Sequence, residues 1–463
     1  MIKIAKAIIA LGILTTILQA QMQIDARGLG LCGTYTAASR GYASVGINPA
    51  NLGFDSGNRF EMNLVSANVS GFNNFLSLYW FNTFFTGDPL TRHRTNPDPI
   101  NFDALVPGQD YSYKTLFLGL VPDEGFSFGF ATYIPHPILN VSWDNYAITS
   151  GLEIYERTTI PKGILRIALE GNPVDSSYGL SFAQDIIIID NISFSFAIPF
   201  DDFNIGITTK YLAGLGYAGV DSSGGQLVTS PQGLMADGFY RYTRAIGGNG
   251  LAIDVGISTN PIGKWQFSAS VNNVIGRIYF GKENYLTAGI GAVEAIVPVR
   301  SMLQIPTGTK QFTAQTLYTF NIDSINAVKF FNSNLDSIIY SNEKDLGTFD
   351  SLSINYPAIF RMGAKYAIHP EMDWYMDLSA GFDTYYYAVQ KWRFATGVEM
   401  TRFKRFRFRT GMAWGGRYGN EMGFGIGYQL PLIKIDFGLR LLGGYSLQKA
   451  QGIEVGLNSS LHF

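Results

Sequence analysis

The chain has 463 residues and a formal net charge of −2, which gives no electrostatic ground for nucleic acid as a partner. Charged residues make up 15%, aromatic residues 14%, and glycine occurs 52 times; few charges with many rings and turn formers is foreign to a soluble enzyme and suits an all-β chain with aromatic girdles. The single cysteine, Cys32, excludes an intrachain disulfide and a multi-cysteine metal site, and no cofactor is expected.

Residues 1–20 have the layout of a signal peptide: Lys3 and Lys6 form a basic start, Ala7 to Leu18 an apolar stretch, and Leu18-Gln19-Ala20 a cleavage site. The chain is therefore expected to leave the cytoplasm. Cys32 does not read as a lipidated cysteine, because Leu31 is too large for the preceding position and the signal ends upstream. Beyond Gln21 no apolar run reaches the ~17–25 residues that a membrane helix needs. A lipid-facing chain without such helices must close into a barrel, the other structure that satisfies its backbone in hydrocarbon.

Residues 21–57 are rich in Gly and Ala, lack alternation and close on Asn48-Pro49-Ala50-Asn51-Leu52. They predict a plug, or hatch, in the lumen, with residues 58–463 as the barrel. Long loops are expected near 71–110, 135–175, 215–248 and 277–357, and short links at Pro122 to Gly125, Pro199 to Asp202 and Thr259 to Lys264. In the first long loop Trp80, Phe81, Phe84 and Phe85 lie at helical spacing, which predicts an amphipathic helix packed as loop core. Between Ser176 and Phe200 the run Ile186 to Ile189 interrupts the alternation, so one long strand or a hairpin both fit.

The last hundred residues alternate at period two, segment after segment. Phe360, Met362 and Tyr366 are spaced by Arg361, Gly363 and Lys365; Phe406, Phe408 and Trp414 by Arg407, Arg409 and Gly411; Ile433, Ile435 and Phe437 by Lys434, Asp436 and Gly438. Tight turns at His369-Pro370-Glu371, Thr401 to Lys404 and Gln429-Leu430-Pro431 join these segments at one end. The expected fold is all-β, a transmembrane antiparallel β-barrel of about fourteen strands with both termini at the short-turn end.

The polar face carries Arg393, Arg405, Arg407 and Arg409, with Asp377, Glu399, Asp436 and Glu454 as cross-strand partners. Two readings stand: a salt-bridged interior, or a charge path that attracts the carboxylate of an amphiphile.

Residues 26–53 resemble the FadL-like family of outer-membrane transporters for long-chain fatty acids and other hydrophobic compounds. The matching residues are Arg27, Gly28, Gly30, Gly33, Tyr35, Thr36 and Ala37, then Asn48, Pro49 and Ala50; Gly250 to Gly256 adds a strand-opening pattern. Asn51 stands where the family commonly has Gly. The resemblance implies a hatch, gated around Gly28, Gly30, Gly33, Asn48, Pro49 and Ala50, inside a fourteen-stranded barrel of the bacterial outer membrane. It also implies a lipid surround, a hydrophobic ligand, passive uptake and no enzymatic activity. A related branch resembles barrel subunits that serve protein secretion and attachment, where the partners are envelope proteins. Leu461 and Phe463 resemble the terminal signal read by the barrel-assembly machinery, with Asn458 at the position usually held by Gly.

Three motifs point elsewhere and lack their context. Gly28-Leu29-Gly30-Leu31-Cys32-Gly33 matches a dinucleotide fingerprint without the preceding buried strand. Gly125-Phe126-Ser127-Phe128-Gly129 matches a nucleophile elbow, but Phe126, Phe128 and Phe130 alternate as a strand and leave Ser127 on the lumen face. His93, His136, His369 and His462 fit no metal spacing.

Overall fold

The structure is a computed structural model that describes residues 25–54, 59–86, 101–231, 233–288, 305, 308–325, 339–348, 352–386 and 388–463. The signal segment 1–20 lies outside the described residues, as do 87–100 and parts of the long loop before residue 357. Alternation in the sequence becomes a ring of strands. In order around it they are β1 (Phe60–Asn73), β2 (Phe126–Pro135), β3 (Tyr146–Ile160), β4 (Ala183–Pro199), β5 (Phe203–Ser230), β6 (Gly233–Thr259) and β7 (Trp265–Asn272). The second half holds β8 (Ile359–His369), β9 (Met372–Gly381), β10 (Arg393–Met400), β11 (Phe406–Gly415), β12 (Gly419–Gln429), β13 (Ile433–Leu442) and β14 (Gly452–His462).

Each strand pairs antiparallel with the next, and β14 returns to β1 from Glu61↔His462 to Phe72↔Gly452. The described residues thus form a closed fourteen-stranded wall. Closure leaves the ring without an open edge, which hydrocarbon requires of any sheet that spans it.

Side chains divide as the period demands. Phe394, Trp414, Phe424, Phe437 and Leu457 are exposed on the outer face, while Asp377, Arg393, Glu399, Arg409, Glu421, Asp436, Arg440 and Glu454 are buried within. Outer rings stack across strands, as in Phe394 on Trp414 and Phe406 beside Tyr428. The ambiguous segment before Phe200 is one strand of 17 residues, β4. Leu215 bulges from its partner β5 between Ile188↔Gly216 and Ile189↔Gly214. Alternation fails there because both faces are covered: Ile187 and Ile189 join an inner cluster with Tyr155, Leu212 and Phe280, while Ile188 packs outside with Leu152, Leu215 and Ile246.

Three expected boundaries are corrected. The stretch 215–248 is a paired ribbon: β5 and β6 pair from Phe203↔Thr259 to Ser230↔Gly233, with a register shift between Val220 and Ser222. At 28 and 27 residues, against the ~9–11 that a tilted spanning strand needs, they project well beyond the wall. The stretch 135–175 likewise contains a wall strand. Residues 136–145 turn at the short end, β3 follows, and a helix, Lys162–Glu170, lies at the opposite end. Pro122 to Gly125 belongs to the long-loop end, because the residues before it, Tyr113–Leu120, form a helix and not a wall strand. Its Phe117 and Leu118 complete an apolar cluster with Phe75, Phe84 and Phe126 that anchors the chain before β2.

The first loop does carry the expected helix, Leu78–Phe81 continued by Asn82–Thr86. Phe84 is buried, stacks on Phe102 and meets Phe117 edge to face, so this aromatic group is loop core. Elsewhere the stretch 277–357 contains strands at Arg277–Phe280, Phe312–Ile325, Ile339–Thr348 and Leu352–Asn355.

Candidate functional site: the hatch, its seat and an aromatic groove

Residues 25–54 fill the interior. A one-turn helix, Ala26–Gly30, starts on Asp25, whose carboxylate accepts from Gly28 N at 2.8 Å and from the Tyr35 hydroxyl at 2.7 Å. A second short turn, Pro49–Gly53, starts on Asn48, whose side chain accepts from Ala50 N. Proline at position 49 disfavours a helical Asn48, and Asn48 is extended at φ −151°, ψ 102°. The residues matched to the hatch, Gly28, Gly30, Gly33, Asn48, Pro49 and Ala50, are all buried. Gly28 to Gly33 forms the short helix and its exit, with Gly33 at φ +75°, and among the described residues no strand precedes it.

Polar side chains of the wall receive the hatch backbone. Asp377 accepts from Tyr35 N and Thr36 N, both at 3.0 Å, and from Thr36 Oγ1 at 2.6 Å. Ser270 and Asn272 donate to Ile47 O, and Asn48 donates to Ser258 Oγ. Ser258 Oγ in turn donates to Asn51 Oδ1 at 2.6 Å, while Asn51 Nδ2 donates to Thr36 O and Ser39 Oγ. Asparagine at 51 therefore ties both halves of the hatch to β6, work that a glycine has no side chain to do.

Close approach is permitted by glycines of the wall. Gly397, Gly411 and Gly423 face one another across β10, β11 and β12; Gly425, Gly438 and Gly456 form a second row across β12, β13 and β14. A methyl group at Gly411 or Gly423 would lie 2.5 Å from Leu31 O or Leu29 O, and one at Gly438 would overlap Ala26 O. On the opposite side Gly206 leaves room for the Pro49–Ala50 peptide and Gly256 for the Asn48 side chain. The sequence shows these glycines at lumen parity, but only the register lines them up as a seat.

Two ion-pair chains complete it. Glu399 holds Arg27 of the hatch at 2.7 Å and Arg409 of the wall at 2.6 Å, and Arg409 reaches Asp436 at 2.5 Å. Glu421 holds Arg393 at 2.8 Å, Arg440 bridges Glu421 and Glu454, and Arg393 donates to Cys32 O at 2.7 Å. Arg393 and Arg409 are thus each paired with carboxylates. Arg407 braces a turn by donating to Thr401 O and Phe403 O, and Arg405 is exposed at the rim. The structure brings Arg393 and Arg409 to the hatch and leaves Arg405 apart. Glu399, Asp377, Ser258, Ser270 and Asn272 are contacts that sequence alone did not assign to the hatch.

Burial also sets the chemistry of Cys32. Desolvation, with the Glu421 carboxylate nearby, pushes its thiol up to about 12, and the residue has no solvent exposure.

A second candidate lies on the projecting ribbon. Where β5 and β6 meet the strand Phe312–Ile325 and the segment leading into β4, a groove of about 600 Å³ opens. Its ring-bearing walls are Phe182, Phe239, Tyr240, Tyr242, Tyr318 and Phe320, and among the described residues no charged one lines it. Tyr240 and Tyr318 stack with centroids 4.7 Å apart.

No family model matches the sequence, and no curated protein matches it. Solved structures do match over nearly the whole chain. The Pseudomonas putida toluene transporter TodX aligns with a TM-score of 0.50 at 9% identity, covering 95% of this chain and 98% of its own. The Ralstonia pickettii toluene transporter TbuX gives 0.49 at 11%, covering 97% and 100%. A Pseudomonas aeruginosa FadL homologue gives 0.47 at 12%, also covering 97% and 100%. Taken with the closed ring and its filled lumen, the likeness to TodX shows that this chain has a FadL-like fold.

Proposed function

We propose that the barrel sits in the bacterial outer membrane and admits hydrophobic small molecules, which bind first in the aromatic groove and then pass the hatch. The observation that carries this is the groove itself: six rings and, among the described residues, no charge, in a volume within the ~300–1,000 Å³ of small-molecule sites. Neutral, flat compounds suit it better than carboxylates. The lumen agrees, because Arg393 and Arg409 already hold Glu421, Glu399 and Asp436. A hatch tied to the wall on several sides argues against an open aqueous channel. Gly28, Gly30, Gly33 and Asn48 to Ala50 are the backbone points that must leave their seats for passage, and no energy source is needed for movement down a gradient.

Beyond the hatch the ligand leaves through the wall or the short-turn opening. A small cavity between Tyr42, Val45, Asn63, Tyr133 and Asn140 supports the wall route. It lies where β1 shifts register after Asn63 and where residues 136–140 loop out after β2.

Uptake of labelled toluene and of a labelled fatty acid into proteoliposomes tests the proposal. Toluene uptake should exceed fatty-acid uptake and should fall when Tyr240 and Phe320 are both changed to Ser. Equal uptake by that variant, or a large steady conductance in planar bilayers, would overturn it.

The alternative is a docking subunit for envelope proteins, favoured by the projection of β5 and β6. A stoichiometric protein partner from gently solubilised outer membranes, with no hydrophobic compound extractable from the barrel, would support it.

A further inference from the structure

The segment Thr401 to Arg409 reads Thr-Arg-Phe-Lys-Arg-Phe-Arg-Phe-Arg, the densest run of cations in the wall region, interleaved with three phenylalanines. Two of its cations are occupied. Arg409 is buried between Glu399 and Asp436, and Arg407 braces the turn through Thr401 O, Phe403 O and Gln429 Oε1 at 3.1–3.2 Å. That bracing holds the β10–β11 turn in one shape and displays the other three.

Arg402, Lys404 and Arg405 are exposed and have no acidic partner among the described residues. The adjacent turns at the same end carry one carboxylate against these three cations: Glu371, which lies 3.9 Å from His369, while the turn from Gln429 to Leu432 carries no charge. On the lipid side the same turn is aromatic. Phe403 and Phe406 are 49% and 42% exposed, Phe403 packs on Phe408 with centroids 5.5 Å apart, and Phe406 lies 5.0 Å from Tyr428. Rings at the edge of the spanning wall mark the interface between acyl chains and head groups. Unpaired cations at that height are drawn to anionic lipid.

Three exposed cations in one turn are found at this arc, whereas Lys264 and Arg59 stand singly elsewhere at the same end. The turn between β4 and β5, on the far side of the ring, carries exposed Asp201 and Asp202 instead. A sheath of zwitterionic lipid offers no reason for such an asymmetry, whereas one bound anionic lipid does.

We propose that the β10–β11 turn is a binding site for an anionic phospholipid of the leaflet at the short-turn end. Arg402, Lys404 and Arg405 hold its phosphodiester, and its acyl chains lie along Phe403 and Phe406. The site is separate from the groove and the hatch, so it stands whether or not the barrel transports.

The test is native mass spectrometry of the full barrel exchanged into an equimolar mixture of phosphatidylglycerol and phosphatidylethanolamine. The wild type should retain phosphatidylglycerol preferentially. Each exposed cation is worth roughly fivefold at a membrane surface, so R402Q/K404Q/R405Q should lose about a hundredfold of that preference. The charge-keeping pair R402K/R405K should retain most of it, and heat-dependent gel mobility shows that every variant is folded. Equal retention of both lipids by the wild type, or an unchanged preference in the folded triple variant, overturns the proposal. So does displacement of the lipid by soluble polyglutamate at micromolar concentration, which would mark an acidic protein as the occupant.

Discussion

Gly411→Ala tests how tightly the hatch rests on the wall. The added methyl would stand 2.5 Å from Leu31 O and 2.9 Å from Cys32 Cβ, where ordinary contact begins at 3.4 Å, so Leu31 must retreat by about 0.9 Å. The wall itself loses nothing, because alanine fits an extended strand. Overpacking of this kind costs roughly 1–3 kcal/mol, and here the cost falls only on the seated state. The unseated population should therefore rise roughly 5–150-fold. Cys32 supplies the assay as the chain's single thiol. Seated, it is fully buried and pushed up to about 12 from the ordinary 9.0, so at pH 8 it holds roughly a thousandth of the thiolate of a free cysteine. Alkylation of the folded barrel by a maleimide then proceeds through the unseated state and reports its population. The wild type should react slowly, and G411A faster by the factor above. A folded wild type that reacts as quickly as the unfolded chain, or a variant with no change in rate, would refute the seat.

Four further outcomes follow from the same structure. Breaking a buried ion pair by removing one partner costs roughly 3–5 kcal/mol, so Glu399→Gln, which strands Arg27 and weakens the hold on Arg409, should lower the denaturant midpoint of the barrel in detergent. A double-mutant cycle with Arg27→Met should return a coupling of roughly 0.5–3 kcal/mol, and additivity would show that the hatch contact is loose. Phe437→Arg, on the lipid face, should cost about 2–4 kcal/mol near the bilayer midplane, seen as poor folding into vesicles, whereas a change at inward Ser460 should not. Tyr318→Ala removes the ring stacked on Tyr240 and should weaken binding of an aromatic ligand by roughly 2–12-fold, measured by displacement of a fluorescent probe. Asn140→Ala removes three side-chain bonds, to His136 O, Ser150 O and Ser150 N, and should speed amide exchange in residues 136–150 without unfolding the ring.

Much of this protein follows from the order of its residues. Period-two alternation from Phe360 onward forces one face into lipid and the other inward whatever the register, because side chains of a strand have only two directions. Absence of any long apolar run leaves a closed sheet as the available way to cross hydrocarbon. Pro49 after Asn48 dictates an extended entry to the last turn of the hatch by local sterics alone.

Other features depended on which strands meet. Gly397, Gly411 and Gly423 become a seat only when β10, β11 and β12 align them, and Glu399 finds Arg27 across 372 positions of sequence. The stretch from Phe203 to Thr259, read as a loop over 215–248, could not show where membrane ends and ribbon begins, since a strand continues through water with the same backbone bonds. Both faces of Ile186 to Ile189 are covered by distant elements, which erases the alternation on which local reasoning relies. The partnering of Arg393 and Arg409, and the freedom of Arg402, Lys404 and Arg405, are likewise decided by neighbours in space, for a charge is satisfied by whatever lies within a few ångströms of it and not by its place in the chain.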